Sequence, residues 1–356
     1  MEKVSSKVNR DVTSEKRVKK RRKKKKKFSI KLFLAFITFQ IIFGAATSLF
    51  ILFYGPFETA RSIFVGTAMG SMNYKWLATS FLSDEKLAEI IGSDEASAPS
   101  DFSTGIDTST VKITKLNDKG ITYKKFEAPE GNYIGHVLII NDPTRVKIGY
   151  TSTLNDENPV GEETSTIAEN NNAVAAINGG AFSDEADSAE WTANGGSPSG
   201  VIMTDGEIIY DDLAGAPSYV TAITKDGHLF GGYYTTEQLI EMNTSEAVSF
   251  KAPIILNGEK LALRGRDDAD GVVSRTLIGQ LKTGEIVFLV LDSKNNNKLA
   301  ATLYEAQDIM YDQLKCETAI PLDGGKSTTM YYKGEVVNNP TYVYGERPIP
   351  TAIIVK

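Results

Sequence analysis

AIPLDGGKSTTMYYKGEVVNNP, residues 319–340, decides how this chain is read. A short apolar run, Ala319 to Leu322, stops abruptly at Asp323-Gly324-Gly325. A hydroxyl-rich segment, Ser327 to Thr329, follows, and then Thr328 to Tyr332 and Val336-Val337 flank Lys333-Gly334-Glu335. The two runs around Lys333-Gly334-Glu335 are the pattern of an antiparallel hairpin, because glycine accepts the positive φ that tight hairpin turns demand.

The same grammar recurs upstream. Val201–Met203 and Ile208–Tyr210 flank TDGE (204–207), and Tyr219–Thr224 and Leu229-Phe230 flank KDGH (225–228). Pro253–Leu256 and Leu261–Leu263 flank NGEK (257–260), and Arg275–Leu281 and Ile286–Leu291 flank KTGE (282–285). With KGE (333–335) these predict five hairpins without a fixed period, so no repeat architecture is expected. One helix is predicted between them. Leu299, Leu303, Ala306, Met310 and Leu314 recur at three- and four-residue spacing and make a single apolar stripe. The region 111–356 therefore reads as a β-rich α+β domain with several hairpins.

The N-terminal region has a different composition. Residues 32–54, LFLAFITFQIIFGAATSLFILFY, form 23 uncharged and predominantly apolar positions, enough for a transmembrane helix. Residues 1–31 carry 15 Lys/Arg against three Asp/Glu, and KRVKKRRKKKKK (16–27) abuts the span. The formal net charge of −6 thus divides into a basic cytoplasmic tail at about +12 and an acidic remainder at about −18. Positive residues stay inside, which predicts a single-pass protein in the cell membrane, with its N-terminus cytoplasmic and its C-terminal domain extracellular. A nuclear signal or nucleic-acid site fits less well, since the basic run adjoins an apolar span; no nucleic-acid partner is expected. A cleaved signal peptide has a shorter apolar core. Residues 55–92 have helical texture and are expected to form a juxtamembrane stalk, and the polar residues 93–110 a linker. The single cysteine, Cys316, excludes an intramolecular disulfide or multi-cysteine zinc site, and the only histidines, His136 and His228, argue against His-rich metal catalysis. No cofactor is required by this sequence; a divalent metal is compatible with it but unsupported by any motif.

Three glycine-polar clusters end apolar segments: Asn178-Gly179-Gly180 after AVAAI, Asp323-Gly324-Gly325-Lys326-Ser327-Thr328 after AIPL, and Gly345-Glu346-Arg347-Pro348 before TAIIV. Gly-Gly exposes backbone amides to an anion, hydroxyls add donors, and arginine is a planar, permanently charged partner for phosphate. Together they could build a pocket with an acid, an oxyanion binder and a cation. Singly, each has a plain reading: Asp-Gly-Gly as a turn, Glu346-Arg347 as a surface pair, and Gly195–Gly200 as a flexible loop. Neither a G-x-S-x-G elbow nor a complete phosphate loop is present; Ile320 stands where the latter needs its first glycine.

The ordered set NGGAF (178–182), SPSGV (197–201), SRTLIG (274–279), LDGGKSTTM (322–330), VVNNP (336–340) and GERPIPTAIIV (345–355) resembles the phosphodiester glycosidase family over about residues 130–356. The anchor resembles Gram-positive, exopolysaccharide-associated members. Lys326 and Ala181 depart from the pattern, which favours a small residue at the first and often an aromatic one at the second. The resemblance implies hydrolysis of a sugar-1-phosphodiester at the anomeric carbon–oxygen bond. It implies Asp323 as the catalytic carboxylate, with Glu346 the alternative or second one. Arg275, Arg347 and the amides of Gly324 and Gly325 would bind the phosphodiester. Ser327 and Thr328 would donate to phosphate or sugar hydroxyls, with Asn178, Gly179 and Gly180 as an opposing wall and Ser199 in a lining loop. Asp292 would hold the sugar or an ion, or simply end its strand. Three functions fit the sequence: a hydrolase removing a GlcNAc-like sugar from phosphate-containing surface glycans, a non-catalytic glycan-binding or exopolysaccharide-biosynthesis accessory protein, and a metal-assisted phosphodiesterase.

Overall fold

The computed structural model describes residues 29–69, 75–91, 108–128, 131–183, 195–264, 266, 268–295 and 299–356. The basic run and residues 93–107 of the expected linker lie outside them. The chain divides into two compact units, Met1–Ile51 and Leu52–Lys356. A helix of 25 residues, Ile30–Tyr54, is the one described helix long and apolar enough to cross a membrane, judged by length and composition. Within the second unit, Phe53 is buried against the rings of Phe64 and Phe81, beside short helices Glu58–Met69, Lys75–Thr79 and Asp84–Ile91.

The rest is built on three antiparallel sheets. The largest has seven strands in the order Ile121–Glu127, Tyr133–Ile140, Ile286–Ser293, Arg275–Leu281, Cys316–Leu322, Ile255–Leu256 and Glu259–Lys260. A second sheet joins Leu229–Tyr234, Ser218–Thr224, Thr244–Ser249, Val201–Thr204 and Glu207–Asp211. A third joins Glu335–Val336, Met330–Tyr332, Ala175–Asn178, Thr351–Val355 and Val146–Tyr150.

All five predicted hairpins are present. Asp205-Gly206, Asn257-Gly258 and Lys333-Gly334 place both central residues at positive φ, the twist that suits a tight hairpin. The predicted helix is shorter than its stripe. It begins at Leu303, because Thr302 and Glu305 form a reciprocal capping box, and its last turn, Ile309–Gln313, widens to a π-helix.

Parity explains the apolar strands of the large sheet. Ile278, Phe288, Val290 and Ile320 face the other two sheets, in one core with Ile177, Ile202, Val248 and Ile353. Their neighbours Leu277, Val287, Leu289 and Ala319 face the opposite way, toward Leu303, Ala306 and Met310 of the helix. Both faces are covered, so side chains alternating with period two are apolar on each side.

Candidate active site

The site is assembled where strand ends of all three sheets meet. Asn178 ends a strand of the third sheet and is fully buried. Its Nδ2 donates to the carbonyl of Asp323 at 2.6 Å, and its Oδ1 accepts from the Thr276 hydroxyl at 2.7 Å and the Thr329 amide at 3.2 Å. One side chain thus clamps the Asp323 turn to the third sheet and to the large sheet. The chain then continues along the wall: the amide of Gly179 donates to Thr351 O at 2.9 Å, that of Gly180 to Thr351 Oγ1 at 3.1 Å, and that of Ala181 to Ser249 O at 2.7 Å. Ser249 ends a strand of the second sheet, and its hydroxyl accepts from the Val201 amide at 2.9 Å.

Asp323 stands half-buried at the head of the turn, its Oδ1 accepting from the Gly324 amide at 2.9 Å. The Gly325 amide donates to Ser274 O at 2.7 Å. This corrects the expectation that these two amides present themselves to an anion: both are consumed in shaping the turn. At the far end of the turn the buried Ser327 hydroxyl accepts from Arg347 Nη1 at 3.3 Å. Arg347 lies over the ring of Phe182, 4.7 Å from its centroid, an arrangement that orients the guanidinium without neutralising it. Phe182 belongs to the short ribbon pairing Phe182–Ser183 with Ser197–Pro198, so the 195–200 loop borders the arginine, and Ser199 is exposed there with its amide on Ala181 O. Thr328 is buried, and its hydroxyl has no hydrogen-bond partner among the described residues, as is true of Ser274 and Thr329 nearby.

Three other expected residues stand differently from the sequence expectation. Arg275 is 9% exposed; its Nε donates to Ala301 O at 3.1 Å, and its Nη2 to Asp268 O at 2.9 Å and to Gly271 O. Part of its donor fork therefore fastens the 268–271 and 301 segments. Asp268 beside it is opposed by burial, but its pairing with Arg266, with Arg275 and Lys251 close by, holds its carboxyl below the usual range. Asp292, which the sequence offered either as a sugar or ion ligand or as a plain strand-end residue, is buried near the end of its strand. Its Oδ2 accepts from the Asn339 amide at 2.5 Å, and its Oδ1 lies 3.6 Å from His136 Nε2. Tyr123 continues this chain, its hydroxyl 2.8 Å from His136 Nδ1. Asp292 thus ties the 336–340 segment to the large sheet and does not meet solvent. Glu346 spends both carboxylate oxygens on Ser165, accepting from its amide at 3.0 Å and its hydroxyl at 2.5 Å, at the start of the helix Thr164–Asn170. Burial raises the Glu346 carboxyl above its ordinary range; the Ser165 bonds oppose this, and Glu163 and Glu169 reinforce it.

Several positioning residues are absent from the sequence-level list: Thr276, Ser249, Thr351, Ser165, Asn338 and Thr341. Asn338 spans the hairpin after the turn, donating to Thr328 O at 3.1 Å and accepting from the Met330 amide at 2.8 Å, and Thr341 Oγ1 donates to Gly325 O at 3.1 Å. Thr276, Thr351 and Asn338 fall inside the quoted motifs SRTLIG, GERPIPTAIIV and VVNNP, whereas Ser249, Ser165 and Thr341 carry no sequence signal. Among the described residues, no group of three or more His, Cys, Asp or Glu side chains is placed to hold a metal ion.

This is a β-rich α+β domain whose site is built from the ends of three antiparallel sheets around an Asp-Gly-Gly turn. A family model for phosphodiester glycosidase matches residues 171–356, just over half of the chain, and the chain belongs to that family. Among solved structures it is similar to the zebrafish N-acetylglucosamine-1-phosphodiester alpha-N-acetylglucosaminidase catalytic domain, auto-inhibited by its pro-peptide. The two are 21% identical, with 68% of this chain and 86% of that one covered and a TM-score of 0.54, which supports the fold. A hypothetical protein from Synechocystis (14% identity, 67% and 62% covered, TM-score 0.46) and a putative exported protein from Burkholderia pseudomallei (14%, 63% and 74%, 0.46) are more distant. No curated protein matches the chain.

Proposed function

We propose that the protein is a membrane-anchored, outward-facing hydrolase that removes a GlcNAc-like sugar from a sugar-1-phosphodiester of a phosphate-containing surface glycan. Family membership supports a glycosidase-type hydrolase acting on phosphodiester sugars. The observation that carries the reading is the Asp323–Ser327 turn: a half-buried carboxylate at its head, and Arg347 joined to its far end through Ser327.

Those groups match what the chemistry needs. Breaking the anomeric carbon–oxygen bond builds positive charge on the sugar ring, which a carboxylate stabilises directly or by activating water. Asp323 takes that role. The departing phosphate needs charge neutralisation rather than a strong acid, and Arg347, oriented by Phe182, supplies it. Thr328, buried with an unpartnered hydroxyl, is the further donor in this reading. Water adds its hydroxyl to the anomeric carbon and its proton to the phosphate side, giving free sugar and a phosphate monoester. Arg347 is preferred to Arg275 as the phosphate partner because it is half-buried and reaches solvent, whereas Arg275 is buried. Glu346 is the weaker candidate for a second carboxylate, since Ser165 occupies both its oxygens.

The test is incubation of the full chain in detergent with a GlcNAc-1-phosphodiester, with and without chelator. Free GlcNAc in both arms supports the reading. GlcNAc-1-phosphate, lost with chelator, points to a metal-assisted phosphodiesterase, and binding without turnover to an accessory protein. Asp323→Asn should lower kcat by about 100-fold or more with the unfolding midpoint unchanged. Turnover like the wild type in that folded variant removes Asp323 from its role.

A further inference from the structure

We propose that the turn Tyr342-Val343-Tyr344 is a sugar-binding platform at the rim of the site, taking a saccharide ring of the glycan that lies beyond the cleaved bond. The inference rests on the glycan-hydrolase reading of the neighbouring site.

Tyr344 is 83% exposed and Val343 73%, the two most exposed large apolar side chains described outside the helix Ile30–Tyr54. The rings of Tyr342 and Tyr344 meet edge to face with centroids 5.7 Å apart, so each limits the other's motion. The backbone is folded back beneath them: the Gly345 amide donates to Tyr342 O at 3.2 Å, and Gly345 holds φ +106, which favours glycine.

Both stems of this turn are fastened to the candidate site. On one side Thr341, the residue before Tyr342, donates to Gly325 O at 3.1 Å. On the other, Arg347, three residues after Tyr344, donates to Ser327 Oγ at 3.3 Å, and Glu346 accepts from Ser165. The aromatic tip therefore projects from the same loop that holds the Asp323 turn in shape.

A sugar ring suits this tip. Pyranose faces carry C–H groups that stack on an aromatic ring, while their edges carry hydroxyls. Tyrosine offers the flat apolar face and a polar tip together, at a cost of only two side-chain torsions. Asn339, exposed three residues before Tyr342, carries a side-chain amide of the kind that bonds sugar hydroxyls. A protein partner would need a surface of about 800 Å² on each side, far more than a three-residue tip presents.

The test compares two substrates on the full chain in detergent. One is methyl GlcNAc-1-phosphodiester, which ends at the phosphate. The other carries the same GlcNAc-1-phosphate on a linear tetrasaccharide. Replacing both residues, Tyr342→Ala with Tyr344→Ala, should leave kcat/KM for the methyl substrate within about twofold. For the tetrasaccharide substrate it should fall roughly tenfold, through KM. Tyr344→Phe should retain most of the preference. An equal loss on both substrates, or no loss on either, overturns the platform. A binding arm uses the tetrasaccharide without phosphate, immobilised on a gel: the wild-type chain should be retarded and the double variant not. If the wild type hydrolyses neither substrate yet is retarded, the platform stands and the hydrolase reading falls. If it is not retarded, the platform falls whatever the hydrolysis result.

Discussion

Asn178 carries more of the site than its place in a wall suggests. It is buried with three hydrogen bonds, and two of its partners, Asp323 O and the Thr276 hydroxyl, belong to the large sheet and the turn that follows it. Removing the amide strands a carbonyl, a hydroxyl and a backbone N–H without water to replace it. Asn178→Ala should therefore lose about 2–4 kcal/mol in chemical denaturation, and a loss within experimental error shows that the clamp is not needed. Glu346 makes a second prediction, this time about pH. Its carboxyl is raised from the ordinary 4.5, chiefly by burial, so the folded protein holds that proton more tightly than the unfolded chain does. The contribution to stability is therefore complete below the ordinary carboxyl value and falls as pH rises to the raised one; the cost then persists at neutral pH. Glu346→Gln cannot ionise and keeps an oxygen for Ser165. The melting temperature of Glu346→Gln minus that of the wild type should be near zero or negative at pH 4 and rise toward pH 7. A difference that instead shrinks over that interval contradicts burial as the dominant cause. Cys316 illustrates the opposite case: buried, its thiol is pushed up to about 12, so it stays protonated and unreactive at neutral pH.

The hairpins were readable because their turns are local. Asp205-Gly206 or Asn257-Gly258 needs only two adjacent residues to state its conformation. The helix was half readable: the stripe locates it, yet Thr302 and Glu305, not the first apolar residue, decide where it starts. The site lies between these two in readability. Asn178, Asp323, Ser327 and Arg347 were visible as polar residues ending apolar runs, and the structure brings them together. What could not be read is which partner each polar group chooses. The Gly324 and Gly325 amides look free in sequence, and Ser274, about fifty residues upstream, takes one of them. Glu346 finds Ser165 from 181 positions away, and Asp292 takes an amide 47 positions on. Such choices depend on strand order, which composition does not encode. Strand order also makes Gly179 irreplaceable. A Cβ there would lie 2.4 Å from Thr351 Oγ1 and 2.6 Å from its carbonyl oxygen, so the strand Thr351–Val355 would have to move. Gly179→Ala should cost about 1–3 kcal/mol and lower kcat together with stability. Unchanged activity and stability show that the third sheet yields without effect on the turn.

The whole chain combines two regions of opposite charge on either side of an apolar segment, a pattern that fits two modes of membrane attachment. The helix Ile30–Tyr54 would extend about 37 Å, sufficient for a hydrocarbon layer of about 30 Å. A basic tail alone could also bring the protein to an anionic leaflet, but only electrostatically, and salt screens that attraction within about 3 Å at 1 M. The two modes of attachment are therefore separable. If the helix spans, membranes from expressing cells should keep the full chain through a 1 M salt wash and an alkaline wash and release it only to detergent. Deleting 32–54 while retaining the basic tail should make attachment salt-sensitive. Where the cut is made also matters, because Phe53 fills the space between Phe64 and Phe81, and Tyr54 donates to Phe81 O at 2.5 Å. A chain begun at residue 52 keeps this small cluster and should be released soluble with its helices intact, whereas one begun at residue 57 loses it and should expose Phe64 and Phe81 to limited proteolysis. Release of the full-length chain by salt alone assigns attachment to the basic tail and removes the spanning role from the helix.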